Sequence, residues 1–220
     1  MPVLNEAGGL RDSLRQLHLT DNEELIVVDG GSTDETVPIA REFTSKVFET
    51  KTGRASVMNF GAKKADGDIL LFLHADCILP DNGLNIIRQT LSNRRIVAGA
   101  FFLAIAHPNF GFRVIEFVGN IRSRITHFMY GDQGMFLKKD LFTSIGGFAD
   151  IPLMEDIEIS KRLRKLGKIV FINPPIKASP RRWLDEGMVY TTLRDWTIAF
   201  SYMFLKVSPE KLIRHYRNIR

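Results

Sequence analysis

Apolar residues along the chain fall into two alternating patterns. Short unbroken runs at 25–28, 46–48, 69–73, 96–106, 135–137 and 168–172 have the length and composition of strands. Between them Leu10, Leu14 and Leu17 recur at helical spacing, as do Ile159, Leu163 and Leu166, with Gly167 placed where a helix C′ residue would close the turn. Ser32-Thr33-Asp34-Glu35 reads as a capping box that opens a helix through Phe43. Strand and helix in alternation predict an α/β protein: a Rossmann-like, mostly parallel central sheet flanked by helices. Runs apolar at every position, such as 69–73, predict a sheet covered on both faces, with ligands at the carboxyl ends of its strands. Polar residues gather there. Asp29 follows the 25–28 run and Asp76 follows 69–73 after His74-Ala75, so two strands are expected to end in acids at one edge of one sheet. Val3-Leu4-Asn5-Glu6 reads as a strand end entering the Leu10 helix; either that strand is a few residues long or the polypeptide begins before Met1.

Composition narrows the class. With 220 residues, 45% apolar and 25% charged, the chain has globular proportions and can bury a full core. Cys77 is the sole cysteine, which excludes a disulfide scaffold and a Cys-rich zinc module and leaves oxygen or imidazole to hold any metal. Residues 1–160 carry 16 basic and 21 acidic side chains, whereas 161–220 carry 14 basic and 4 acidic. The basic end has helical spacing, with Trp196, Phe200, Met203 and Phe204 on one face and a restart at Ser208-Pro209. Such a tail suits an anionic membrane surface, where a lipid-linked acceptor would be found; the same face could instead cover the sheet or join two copies. No run is long enough to span a membrane and no cleavable signal is visible, so the expected location is the cytoplasm or the cytoplasmic face of a membrane. A nucleic-acid partner is not expected, because the basic surplus comes without an aromatic-rich basic sheet or a reader motif.

Several segments carry candidate chemistry. Asp29-Gly30-Gly31-Ser32 lets the backbone approach a ligand beside a helix N-terminus, or is an ordinary strand-turn-helix. Arg54 and Asn59 share a small-residue helix, where Arg54 could meet a phosphate or simply be solvated. Asp76 directly follows an apolar strand, and one carboxylate plus substrate phosphates is enough to hold Mg²⁺ or a similar hard cation. Glu155-Asp156 could supply a general base, or could merely favour the start of the helix that follows. Arg181-Arg182-Trp183 offers cations and an aromatic platform, or a basic surface loop.

Taken in order, Pro-Val-Leu-Asn-Glu6, Asp29-Gly-Gly-Ser-Thr-Asp, Gly-Arg54-Ala with Asn59 and Gly61-Ala62, strand-His-Ala-Asp76, Gly131-Asp132-Gln133-Gly134, Gly146-Gly147-Phe148, Glu155-Asp156 and Arg181-Arg182-Trp183 resemble family 2 glycosyltransferases with the GT-A fold, over residues 2–183. The His-Ala-Asp-Cys, Gly-Asp-Gln-Gly, Glu-Asp and Arg-Arg-Trp segments look like those of a small bacterial-type subgroup. The resemblance implies a GT-A domain at 1–183, with a nucleotide-binding half at 1–80 and an acceptor half at 81–183, followed by a basic amphipathic helical tail at 184–220. It implies transfer of a sugar, with inversion, from a nucleotide-diphosphate-sugar donor to a hydroxyl acceptor. Glu6, Asp29, Arg54, Asn59 and Asp76 would contact the sugar nucleotide, with Asp76 also ligating Mn²⁺ or Mg²⁺. Gly131, Asp132, Gln133, Gly134 and Glu155 would surround donor sugar and acceptor, Arg181, Arg182 and Trp183 the diphosphate, and Asp156 would be the base. His74 and Cys77 stand where such motifs usually carry acids, and a protonated His74 would oppose a cation. Two rivals share these residues: a nucleotidyltransferase, which needs no base at Asp156, and a sugar-nucleotide-binding or regulatory module without turnover.

Overall fold

The computed structural model describes residues 1–50 and 53–216. The first half holds β1 (Pro2–Val3), α1 (Ala7–Arg15), β2 (Val27–Asp29), α2 (Thr36–Arg41), β3 (Val47–Glu49), α3 (Arg54–Lys64), β4 (Ile69–Phe72), β5 (Cys77–Ile78), α4 (Gly83–Ser92) and β6 (Ile96–Ile105). The second holds α5 (Phe110–Thr126), β7 (Met135–Lys138), α6 (Lys139–Ser144), α7 (Glu155–Leu163), β8 (Lys168–Ala178), α8 (Arg181–Glu186), α9 (Met188–Met203) and α10 (Pro209–Leu212). Of the expected tail at 184–220, residues 217–220 lie outside the described residues. No helix among the described residues is long and apolar enough to cross a membrane.

Two sheets form. β1-β2-β3 is parallel throughout, with Val3 opposite Asp29 and Asp29 opposite Glu49. The second, in the order β4-β7-β6-β8-β5, is mixed: β6 and β8 run parallel and the other pairs antiparallel. The acids after β2 and β4 therefore belong to different sheets, which corrects the expected single edge. The unbroken apolar runs have the expected cause. Leu70, Phe72, Met135 and Leu137 pack on one face of the second sheet with Phe142, Phe148, Ile159 and Leu163 of the helical side. Phe101, Phe136 and Ile176 pack on the other with Ile87 and Leu91 of α4. Alternate side chains thus enter two cores, and neither face tolerates a polar residue.

Three local expectations change. β8 runs on to Ala178 because its ladder with β6 slips between Phe101 and Leu103, leaving out Pro174 and Pro175, which have no N–H to donate. Gly167 does not close a left-handed turn; a Cβ there would stand 2.5 Å from Val97 Cγ1, so glycine permits close passage against the start of β6. The Ser32–Glu35 segment serves its own helix only in part: the helix starts at Thr36, whose N–H donates to Asp34 Oδ1 at 3.1 Å, and the N-cap Glu35 makes no side-chain bond. Oxygens of Ser32, Asp34 and the adjoining Thr36 also act across the chain. Ser32 Oγ accepts from Asn5 N at 2.8 Å, Thr36 Oγ1 from Glu6 N at 2.8 Å and Asp34 Oδ2 from Ala7 N at 3.1 Å. The donors around the start of α1 are thereby satisfied from a segment some thirty residues on.

Candidate active site

One cavity collects expected site residues from five separate stretches. Arg54 (α3), Asp76, Gly131, Asp132, Asp156 (α7), Arg181, Arg182 and Trp183 (α8) all line it. Two buried acids stand directly behind this lining. Glu6 accepts from Arg181 Nη2 at 2.8 Å, and Glu155 accepts from Arg54 Nε at 2.5 Å. Each buried carboxylate holds the guanidinium of a more exposed arginine at the cavity wall, so the sequence pairs that looked independent are coupled across 175 and 101 residues.

Asp156 occupies the first turn of α7, delivered there by Met154, whose φ of 69° is costly for a side chain with a Cβ. Its Oδ2 accepts from Gly131 N at 3.0 Å and its Oδ1 from Ile157 N at 2.7 Å. Ser160, one turn on, donates to the Asp156 carbonyl at 2.7 Å and accepts from Met129 N at 3.1 Å, tying α7 to the segment that carries Gly131. Burial pushes the Asp156 carboxyl up to about 6 and the negative charge of Glu155 adds to it, while Arg54 and the two N–H groups pull the other way. A carboxylate poised nearer neutrality is a better proton acceptor than a solvated one. Asp132 is raised too, by burial first, with Arg182 and Arg122 opposing and Asp76 reinforcing.

Asp76 and Asp132 face a common volume. Cys77 Sγ sits 3.7 Å from Asp76 Oδ1 and 3.6 Å from the Asp132 carbonyl, and buried His74 packs against Gly131. Of the departures, Cys77 bridges the two acids, while His74 lines the cavity beside Asp76 and packs against Gly131. No three His, Cys, Asp or Glu side chains among the described residues are grouped to hold a metal ion. The donor set fits a hard cation bound through Asp76 and substrate oxygens, not one enclosed by protein.

Besides Glu6 and Glu155, four expected site residues lie off the cavity. Asp29 Oδ2 accepts from Gly31 N and Ser32 N, each at 2.8 Å, so its carboxylate holds its own turn. Asn59 donates to the Phe148 carbonyl at 2.8 Å and accepts from Phe148 N at 2.9 Å, so its amide clamps the Gly146-Gly147-Phe148 turn. Gln133 is buried, exchanging bonds with Ser123 and accepting from Tyr130 N at 3.0 Å, and Gly134, at φ 61°, passes against Ile176. These two build the wall from behind. Conversely, sequence reading missed Arg122, whose guanidinium lies 3.8 Å from the Tyr130 ring centroid, and also Trp196 and Tyr216. Arg122 Nε and Tyr130 Oη are buried at the cavity without a hydrogen-bond partner. The one available signal was Tyr130 standing next to Gly131.

Gly131 is a demanding position. A Cβ there would lie 2.6 Å from His74 Cε1, and His74 is buried. Gly131→Ala is expected to cost about 1–3 kcal/mol of stability by overpacking and to displace the N–H that holds Asp156. Thermal melting and a pH profile of turnover on the same variant check both effects; an unchanged melting temperature removes the packing argument.

A family model for glycosyl transferase family 2 matches residues 1–149. The chain belongs to that family. Glycosyltransferase AglE of Haloferax volcanii is 25% identical over 207 residues, covering 84% of this chain and 67% of AglE. Mannosyltransferase PcManGT of Pyrobaculum calidifontis, solved with GDP-Man and Mn²⁺, superposes with a TM-score of 0.64 at 20% identity, covering 81% of this chain and 54% of its own. Residues 1–349 of TarS from S. aureus, solved with UDP-GlcNAc, give 0.65 at 16% identity, with 97% of this chain and 68% of that one covered. The fold is thus the α/β GT-A fold. The chain spans between about half and two thirds of the length of these proteins.

Proposed function

We propose that the protein transfers a sugar from a nucleotide-diphosphate-sugar to a hydroxyl acceptor with inversion, and that Asp156 is the base. The observation that carries this is the convergence of a buried, raised carboxyl with Asp76, Arg54, Arg181 and Arg182 around one cavity. An acceptor hydroxyl attacking the anomeric carbon gives its proton to Asp156 as the new bond forms. A carboxylate cannot deprotonate a resting alcohol, so proton transfer is late and concerted with attack. The N–H groups of Gly131 and Ile157 hold both oxygens of Asp156 in place, which is positioning supplied before the substrate arrives. Arg181 and Arg182 face the diphosphate, Arg181 aligned by Glu6 and Arg182 by Asp195 and Tyr216. Mn²⁺ or Mg²⁺ held by Asp76 and diphosphate oxygens would supply charge neutralisation on the leaving group. PcManGT with GDP-Man and Mn²⁺ and TarS with UDP-GlcNAc support a nucleotide-sugar donor, and the former a divalent cation.

A thermal-shift panel of UDP, GDP, CDP and dTDP with and without Mn²⁺ tests the donor side. A nucleotide at 100 times its Kd adds about 2.7 kcal/mol of stability, or roughly 5–10 °C at this chain length. Asp76→Asn is expected to abolish the Mn²⁺-dependent part of the shift and keep the rest. Absence of any shift across the panel would refute the reading.

A further inference from the structure

Two helices carry long exposed apolar stripes that no part of the described protein covers. On α5 these are Phe110, Val114, Phe117, Ile121 and Ile125, with Phe110 77% and Ile125 73% exposed. The spacing is helical and the stripe runs about 25 Å along a 17-residue helix. On α9 the same pattern appears at Val189, Leu193 and Phe200 and continues to Phe204 just past its end, with Val189 70% exposed and the tilted rings of Phe200 and Phe204 4.8 Å apart. α5 and α9 meet where Gly111 lies against Met188, and Leu184 on α8 and Leu205 after α9 extend the apolar surface. Exposed apolar area on this scale marks a partner, since single scattered residues are ordinary and aligned rows are not.

Charge identifies the partner. Glu116 of α5 turns inward to accept from Ile105 N, and Asp195 and Arg194 of α9 are held in ion pairs with Arg182 and Glu186. Neither helix therefore presents an unpaired acid outward, whereas Arg124 and His127 stand exposed at the end of α5, and Lys206, Lys211 and Arg214 beyond α9. Asp185 and Glu210 are the exposed acids on the flanking α8 and α10. A second copy pairing through α5 and α9 would bring no unpaired acid from either helix to these basic groups. An anionic surface satisfies the same groups.

We propose that the outer faces of α5 and α9 dock onto an anionic lipid bilayer, with the apolar rows in the headgroup region and the basic helix ends against lipid phosphates. The inner faces of the same helices line the candidate active site, through Ile115, Gly119 and Arg122 on α5 and Thr192, Trp196 and Ala199 on α9. A bilayer on the outer faces therefore stands about one helix diameter, roughly 10 Å, from the cavity. Membrane docking of this kind goes beyond sugar transfer and is read without turnover, so its failure is distinguishable from failure of the proposed reaction.

The experiment is co-sedimentation of the full chain with vesicles of equal parts phosphatidylglycerol and phosphatidylcholine, against phosphatidylcholine alone. Binding to the anionic vesicles that weakens with added salt is expected. Phe117→Ser combined with Phe200→Ser is expected to lower the partition at least about tenfold while leaving the melting temperature in place, because both side chains are exposed. Arg124→Gln with Lys206→Gln is expected to remove most of the salt-sensitive part. No binding to anionic vesicles, or binding indifferent to the two serines, overturns the proposal. So does a dimer in solution that the serine variant dissociates while vesicles capture nothing, since a second copy would then cover the stripes.

Discussion

Asp156→Asn is expected to lower kcat by about 10²–10⁴-fold and to leave donor binding in place. The amide keeps the size of the carboxylate but cannot accept a proton from the acceptor, and Arg181, Arg182 and Asp76 are untouched. Isothermal titration with the donor nucleotide and a turnover assay on the same preparation separate the two quantities. Retained turnover removes Asp156 as base. The wild-type pH profile carries the same signature. With the carboxyl raised to about 6, activity falls as pH drops through that value, by about tenfold per unit below it. Stability runs in the opposite sense: the unfolded chain releases this proton near its ordinary value of 3.8, so the contribution of Asp156 turns unfavourable as pH climbs from there toward about 6.

The second large effect belongs to Arg54. Its partner Glu155 is 2% exposed, whereas the arginine keeps 30% of its side chain in contact with solvent. Arg54→Met strands a buried carboxylate beside Asp156 and is expected to cost about 2–4 kcal/mol, somewhat below the range for a pair buried on both sides. The double variant Arg54→Met with Glu155→Leu recovers most of that loss, because no uncompensated charge remains. Activity does not return with it, since the cavity has lost a guanidinium. Urea unfolding of the two single variants and the double variant closes the cycle; strict additivity would mean that the pair is not coupled.

Sequence reading succeeded where a residue's role is set by its neighbours in the chain. The strand before Asp29, the strand before His74-Ala75-Asp76 and the acids opening α7 were all legible, because apolar runs and helix starts are local properties. Failures have a shared physical cause. α5 was not expected, since only Phe112 and Ile115 carry its apolar contacts inward, beside Glu116, Gly119 and Asn120, while its longer apolar row faces outward, so its periodicity did not point to the core. The clamp that Asn59 closes was not legible, because the backbone it holds lies 89 residues away. Ser32 and Asp34 carried a capping signature that the start of α1 also draws on, from a distance in the chain that no local pattern shows. Position in the chain could show which side chains are chemically able, but not which backbone groups had already claimed them.

The bridge from Glu6 to Arg181 joins the residue before α1 to the first turn of α8, across 175 residues. A guanidinium at the cavity wall is thus held by an acid that a distant part of the chain supplies, and the same is true over 101 residues for Arg54 and Glu155. Loss of either stretch therefore unfastens the wall at the other.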